Sequence, residues 1–205
     1  MASSSSSSSP PSLPPISSLP SANAETIISA LDTLFEPSPD IHALALPTIQ
    51  QKQQQQQQVP GGPSTAPFTS YAALIQHVGA QLFQLAAAAP ERNQAKATLH
   101  RILGSHPRLG AKKVDSAQSQ AEQAQLNAAS PGGADEAAQL RALNDEYEAR
   151  FPGLRYVVFV NGRSRPAVME NMRYRIDRGD FAAEEKEAIQ AMIDIALDRA
   201  KKLGG

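Results

Sequence analysis

The stretch Phe181-Ala-Ala-Glu-Glu-Lys-Glu-Ala-Ile-Gln-Ala-Met-Ile-Asp-Ile-Ala-Leu-Asp-Arg-Ala-Lys-Lys-Leu203 decides the fold. Ile189, Met192, Ile193, Ala196 and Leu197 recur in it at three- and four-residue spacing, which puts them on one face of a helix. No Gly or Pro interrupts the run. It reads as the longest amphipathic helix of the chain, and its apolar face needs other helices to cover it. The same period returns upstream. Ile27, Ile28, Leu31, Leu34 and Phe35 make a stripe ended by Pro37 and Pro39. Leu74, Ile75, Val78, Leu82 and Leu85 make a second, continued by Ala95, Leu99, Ile102 and Leu103. A polar helix follows from about Ser119 to Ala129; Leu140, Leu143, Tyr147 and Phe151 form another stripe, and Val168, Met169, Met172 and Ile176 one more.

Residues 154–160, Leu-Arg-Tyr-Val-Val-Phe-Val, are the one strand-like run. A lone strand has no partner for its backbone groups, so the segment is expected to be an extended connector or a short distorted helix, not part of a sheet. Asn161-Gly162 then turns the chain. The expectation is a single all-α domain of seven to eight helices.

Two tracts fall outside these patterns. Residues 1–22 are mostly Ser, Pro and Leu, and 48–67 hold six consecutive glutamines followed by Pro, Gly, Ser and Thr. Both are expected to be disordered and to add nothing to the core, leaving one helical domain over 23–205. Net charge is -1, with Lys+Arg 19 against Asp+Glu 20, so no bulk field draws nucleic acid or an anionic membrane. Zero Cys removes disulfides, thiolate metal sites and cysteine nucleophiles. No apolar run approaches the roughly 20 residues that span a bilayer, and the serine-rich start lacks the pattern of a signal or transit peptide. A soluble cytoplasmic protein is expected. The C-terminal Lys202-Leu203-Gly204-Gly205 is not a Ser-Lys-Leu type peroxisomal address, which leaves a peroxisomal location to another route.

Among the polar residues His106 differs from the other three histidines. Pro107 disfavours helical backbone at His106, and Gly104 and Gly110 bracket it, so the imidazole sits on a short stiff loop between helices. Its ordinary protonation range suits proton transfer near neutrality. Ser119-Gln120-Ala121-Glu122 fits a capping box, which accounts for both ends without chemistry; Glu122 and Gln123 could equally present a carboxylate and an amide toward what His106 faces. Arg163, Arg165, Arg173, Arg175 and Arg178 read either as a solvated face or as an anion site. Arg199, with Lys201 and Lys202, would by default complement the dipole at the C-terminus of the last helix.

Taken in order, these motifs are familiar. His106-Pro107-Arg108-Leu109-Gly110, Ser119-x-x-Glu122-Gln123, Leu143-Asn144-x-x-Tyr147-x-x-x-Phe151, Tyr156-Val157 and a final helix ending Ile195-Ala196-x-x-Arg199 together resemble the 2-oxo-4-hydroxy-4-carboxy-5-ureidoimidazoline decarboxylase family, in its fungal branch. Leu34-Phe35-Glu36-Pro37-Ser38-Pro39 and Phe68-x-Ser70-Tyr71 look like the same family. Arg108 stands where that pattern has an acidic residue. The resemblance implies an all-α, commonly homodimeric enzyme of urate breakdown that needs no metal or organic cofactor, and a small-molecule substrate that loses CO2 to leave (S)-allantoin. It implies catalytic roles for His106, Glu122 and Arg199, and substrate contacts for Pro107, Ser119, Gln123 and Val158. Arg199 would hold an anionic group, and His106 with Glu122 would deliver a proton to one face. The rival expectations are a helical interaction protein without activity and a phosphate or nucleic-acid binder built on Arg163 to Arg178.

Overall fold

The computed structural model describes residues 12–57, 68–88, 93–111, 116–129 and 134–205. Among the described residues there are eight α-helices and no strand: α1 (Ala24–Phe35), α2 (Pro39–Gln57), α3 (Tyr71–Ala86), α4 (Asn93–Leu103), α5 (Ala117–Ala129), α6 (Ala134–Arg150), α7 (Arg165–Arg178) and α8 (Phe181–Lys202). The all-α expectation holds.

Side chains that suit a helix N-terminus start four of them. Asn23, Ser70, Ser164 and Asp180 each accept a hydrogen bond from the backbone N–H three residues on. Gly179 ends α7 with φ 60°, the left-handed conformation that glycine adopts without strain, and a Cβ there would require the Arg150 guanidinium to move. It hands the chain directly to Asp180, the cap of α8. Ile189, Met192, Ile193 and Ala196 are fully or almost fully buried, as their spacing requires, and α8 lies against α1 and α3. Gly79 on α3 permits the close approach: an added Cβ would stand 2.4 Å from Ile193 Cδ1.

The two low-complexity tracts need correcting at their inner ends. Leu19 is fully buried in a 3-10 turn over Leu19–Ser21, Leu13 and Ile16 pack on the core, and Tyr71 Oη donates to Pro14 O at 2.7 Å. Burying a leucine side chain is worth about 1.5–3 kcal/mol, which outweighs the Ser/Pro composition around it. Residues 48–57 likewise belong to α2, which runs through Pro47 because Ile41, Ala45 and Ile49, four apart, are all buried. Residues 1–11 and 58–67 of those tracts lie outside the described residues.

Residues 154–160 are extended and unpaired in any ladder, as expected of a connector. Their backbone is held by side chains. Arg175 Nη1 donates to Val157 O at 3.0 Å and Arg163 Nη2 to Phe159 O, while the segment's own Tyr156 hydroxyl donates to the Asn171 side chain at 2.6 Å. No helix among the described residues is long and apolar enough to cross a membrane.

Candidate active site

The loop from Gly104 to Gly110 leaves the end of α4, and side chains from three other elements pin it. Arg155 Nη1 donates to His106 O (3.2 Å), Gln123 Nε2 to Arg108 O (3.4 Å) and Asn144 Nδ2 to Leu109 O (3.1 Å). Asn144 is itself buried and also donates to Leu140 O within α6. The loop is therefore fixed from α5, α6 and the extended segment. Arg108 pairs with Asp145 and Glu148 of α6, so its charge is met by that helix, and Arg108 is not among the residues that line the cleft beside His106.

His106 is 5% exposed, and neither Nδ1 nor Nε2 has a hydrogen-bond partner among the described residues. Two unmet polar atoms in a buried ring are unusual, because each forfeits its hydration. Burial pushes the imidazole down to about 4, the Arg199 charge pushes the same way, and the Glu36 carboxylate opposes both. At neutral pH the ring is neutral, with one nitrogen that can donate and one that can accept.

His106 lines a cleft. Pro107, Ser119, Glu122, Gln123 and Val158 line it with His106, and Tyr156, Val157, Val160 and Ile195 supply its apolar wall. The extended segment and α5 thus form opposite sides of one space. Six of the seven residues singled out in the sequence meet there.

Arg199 is the seventh and stands behind the wall, 2% exposed. Its Nε donates to Glu122 Oε1 (2.7 Å) and its Nη2 to Glu122 Oε2 (2.9 Å), a two-pronged pair. Nη2 also reaches Glu36 Oε1 (2.7 Å) and Ser119 Oγ (3.0 Å), and Nη1 points to the carbonyls of Thr33 and Leu34. The default reading of Arg199 as a dipole partner at the helix end is overturned: it is a buried charge held by two carboxylates.

The capping box is overturned as well. Ser116 starts α5, its Oγ accepting from Ser119 N at 3.0 Å, while Ser119 Oγ donates inward to Glu36 Oε1 at 2.6 Å and Glu122 turns to Arg199. Ser116 lies three residues before Ser119, so the cap was readable one turn earlier. Nor do the arginines of α7 form an anion site. Arg165 pairs with Glu136, Arg173 with Glu146, Arg175 with Glu184, and Arg178 with Glu184 and Glu187, acids supplied by α6 and α8.

Glu36 is the residue that the motif reading quoted without giving a role. It is 3% exposed, and although burial opposes ionisation, Arg199 and the Ser119 hydrogen bond hold its carboxyl below the usual range. Its signal was an acid placed at a helix C-terminus, where the dipole disfavours one. Among the described residues no three His, Asp or Glu side chains are grouped as metal ligands.

The sequence model of the OHCU decarboxylase family matches residues 20–201. Comparison with curated proteins gives no match.

Proposed function

The chain belongs to the OHCU decarboxylase family, a family of carbon–carbon lyases of purine catabolism, and from that premise we propose that it converts 2-oxo-4-hydroxy-4-carboxy-5-ureidoimidazoline to (S)-allantoin in the cleft beside His106. One observation carries the reading: a buried imidazole with both nitrogens unmet faces a space walled by a carboxylate, an amide and a hydroxyl. Such an imidazole has its polar bonds left for a ligand.

The chemistry asks little of a cofactor. The bond from C4 to the carboxylate breaks and CO2 departs. The electron pair becomes the C4=C5 bond, while the ring C5=N pair moves to nitrogen, which takes a proton. The enol so formed loses its hydroxyl proton as C5 gains one, leaving a carbonyl at C4 and a stereocentre at C5. One proton is consumed overall. Neutral His106 is suited to accept the C4 hydroxyl proton, and Glu122 to move a proton on the same side of the ring. Arg199 supplies the positive charge that offsets the substrate's anionic group. Gln123, Ser119 and the backbone at Val158 orient the ureido and ring amides, and Pro107 keeps the imidazole from swinging.

The test uses substrate generated freshly from urate by urate oxidase and hydroxyisourate hydrolase. The protein should speed the loss of CO2 above the spontaneous rate and give optically active allantoin. A rate and product indistinguishable from the blank would leave the rival, a helical interaction protein of the same fold, as the better reading.

A further inference from the structure

Arg199 carries one positive charge and faces two carboxylates that are not equivalent. Glu122 stands on the cleft wall with its side chain 27% exposed. Glu36 is enclosed, and its Oε1 alone accepts from Arg199 Nη2 (2.7 Å), Ser119 Oγ (2.6 Å) and Ser116 Oγ (3.0 Å). Those three partners come from α8, α5 and the residue that starts α5. Glu36 thereby ties the end of α1 to both helices that bear the site.

Its backbone adds a second observation. Glu36 has φ 74° and ψ 151°, a region that residues other than glycine adopt at a cost and only where the surroundings hold them there. A carboxylate at the last turn of α1 also faces the unfavourable end of that helix's dipole. Glycine would suit the turn better on both counts. The side chain present is thus one that the local backbone resists, and the bonds it makes are to Arg199 and to serines of the site.

We propose that Glu36 is a positioning residue, the standing counter-ion of Arg199, which keeps the guanidinium fixed and compensated while Glu122 leaves it for the substrate. The inference rests on the reading of the cleft as a decarboxylase site. In this structure the Nε and Nη2 edge of Arg199 is filled by Glu122. The substrate's carboxylate takes that place as Glu122 turns into the cleft. The guanidinium meets two carboxylates before and two after, and the one that gives up its counter-charge is Glu122, the more exposed of the pair. Without Glu36, Glu122 would be the one carboxylate bonded to Arg199 and could not leave it without stranding the charge.

Two variants separate backbone from charge. Glu36→Gly relieves the turn and removes the carboxylate; Glu36→Gln keeps size and an acceptor but removes the charge. Both are expected to fold by circular dichroism, with kcat/KM lowered on the order of 100-fold, the scale of a misplaced catalytic group, and Glu36→Asp is expected to recover part of it. A purely structural residue would move none of this in a folded variant. The second readout is the His106 imidazole titration followed by NMR in Glu36→Gln, which should shift to lower pH because the negative charge favouring its protonation is gone. Folded Glu36→Gly with wild-type kcat/KM would overturn the proposal, and so would an unchanged His106 titration if the glycine variant does not fold. If the wild-type protein itself fails to decarboxylate, the functional reading falls, and the titration still decides whether Glu36 is coupled to the site.

Discussion

Arg175 and Arg199 are both arginines of about 2% exposure, each bonded to glutamate across a helix–helix contact, yet their surroundings differ in kind. Arg175 itself is fully engaged, and in its cluster the buried atom left without a partner among the described residues is Arg178 Nε, on a side chain 22% exposed. Glu184 is fully buried and takes Arg175 together with the Tyr147 hydroxyl and Arg178, Val157 O takes Nη1, and the Tyr156 ring lies 4.7 Å below the guanidinium. Around Arg199 one carboxylate is half turned to a cleft and the neighbouring imidazole has no partner. The difference teaches where to look for chemistry: in the charge cluster whose unmet atoms belong to a titratable ring lining a cleft, since buried polar groups are otherwise satisfied. The closed cluster also serves the open one, because Arg175 holds the Val157 carbonyl of the segment that forms the cleft's far wall.

Replacing one partner in each cluster should expose the contrast most strongly. Arg175→Met leaves the buried Glu184 with only Arg178, at 3.1 Å on one oxygen, as counter-charge and should cost about 3 kcal/mol in urea unfolding. Glu122→Gln keeps a bond to Arg199 at a partly solvated position and should cost less than about 1 kcal/mol. Equal losses in the two would mean that the clusters are energetically alike.

Acid should distinguish them next. His106 is held near 4 in the folded chain against 6.5 for an ordinary histidine, so between those values the unfolded chain binds more protons. Stability is then highest above pH 6.5 and falls as pH drops toward 4, by on the order of 3 kcal/mol from this group. Glu36, whose carboxyl is lowered, loses its contribution in the same direction at still lower pH. Thermal melts across this range should show the slope, and His106→Asn should flatten it. Equal slopes in the two proteins would place the acid sensitivity elsewhere.

A smaller effect tests the edges of the domain. Removing residues 1–22 takes away Leu19 and the Pro14 carbonyl that Tyr71 bonds, and should cost about 2–3 kcal/mol. Removing residues 1–11 alone deletes none of the described contacts and should leave the melting temperature unchanged. A full truncation as stable as the intact chain would return residues 12–22 to the status their composition suggested.

These edges mark the limit of what the sequence made legible. Stripes such as Leu74, Ile75, Val78 and Leu82 reveal a helix because burial repeats with the helical period. Leu19 does not repeat; it is one apolar residue among serines and prolines, and only the surface it meets makes it core. In α2 the period was present in Ile41, Ala45 and Ile49 but was masked by Pro47 and the glutamine run. The loop of His106 was legible because Pro107 and its glycines act locally. The partners of Arg199 were not, since Glu36 and Glu122 lie 163 and 77 residues away and no local rule pairs them. Ser119 misled for the same reason: its local capping option lost to a buried carboxylate brought in by the fold.

The most direct measurement is the enantiomeric excess of allantoin made from fresh ureidoimidazoline by the wild-type chain and by folded His106→Asn, read by circular dichroism as the substrate is consumed. A single enantiomer from the wild type and a racemate at the spontaneous rate from the variant is the outcome expected of a site in which this imidazole governs proton delivery. The same handed product at the same rate from both would contradict it.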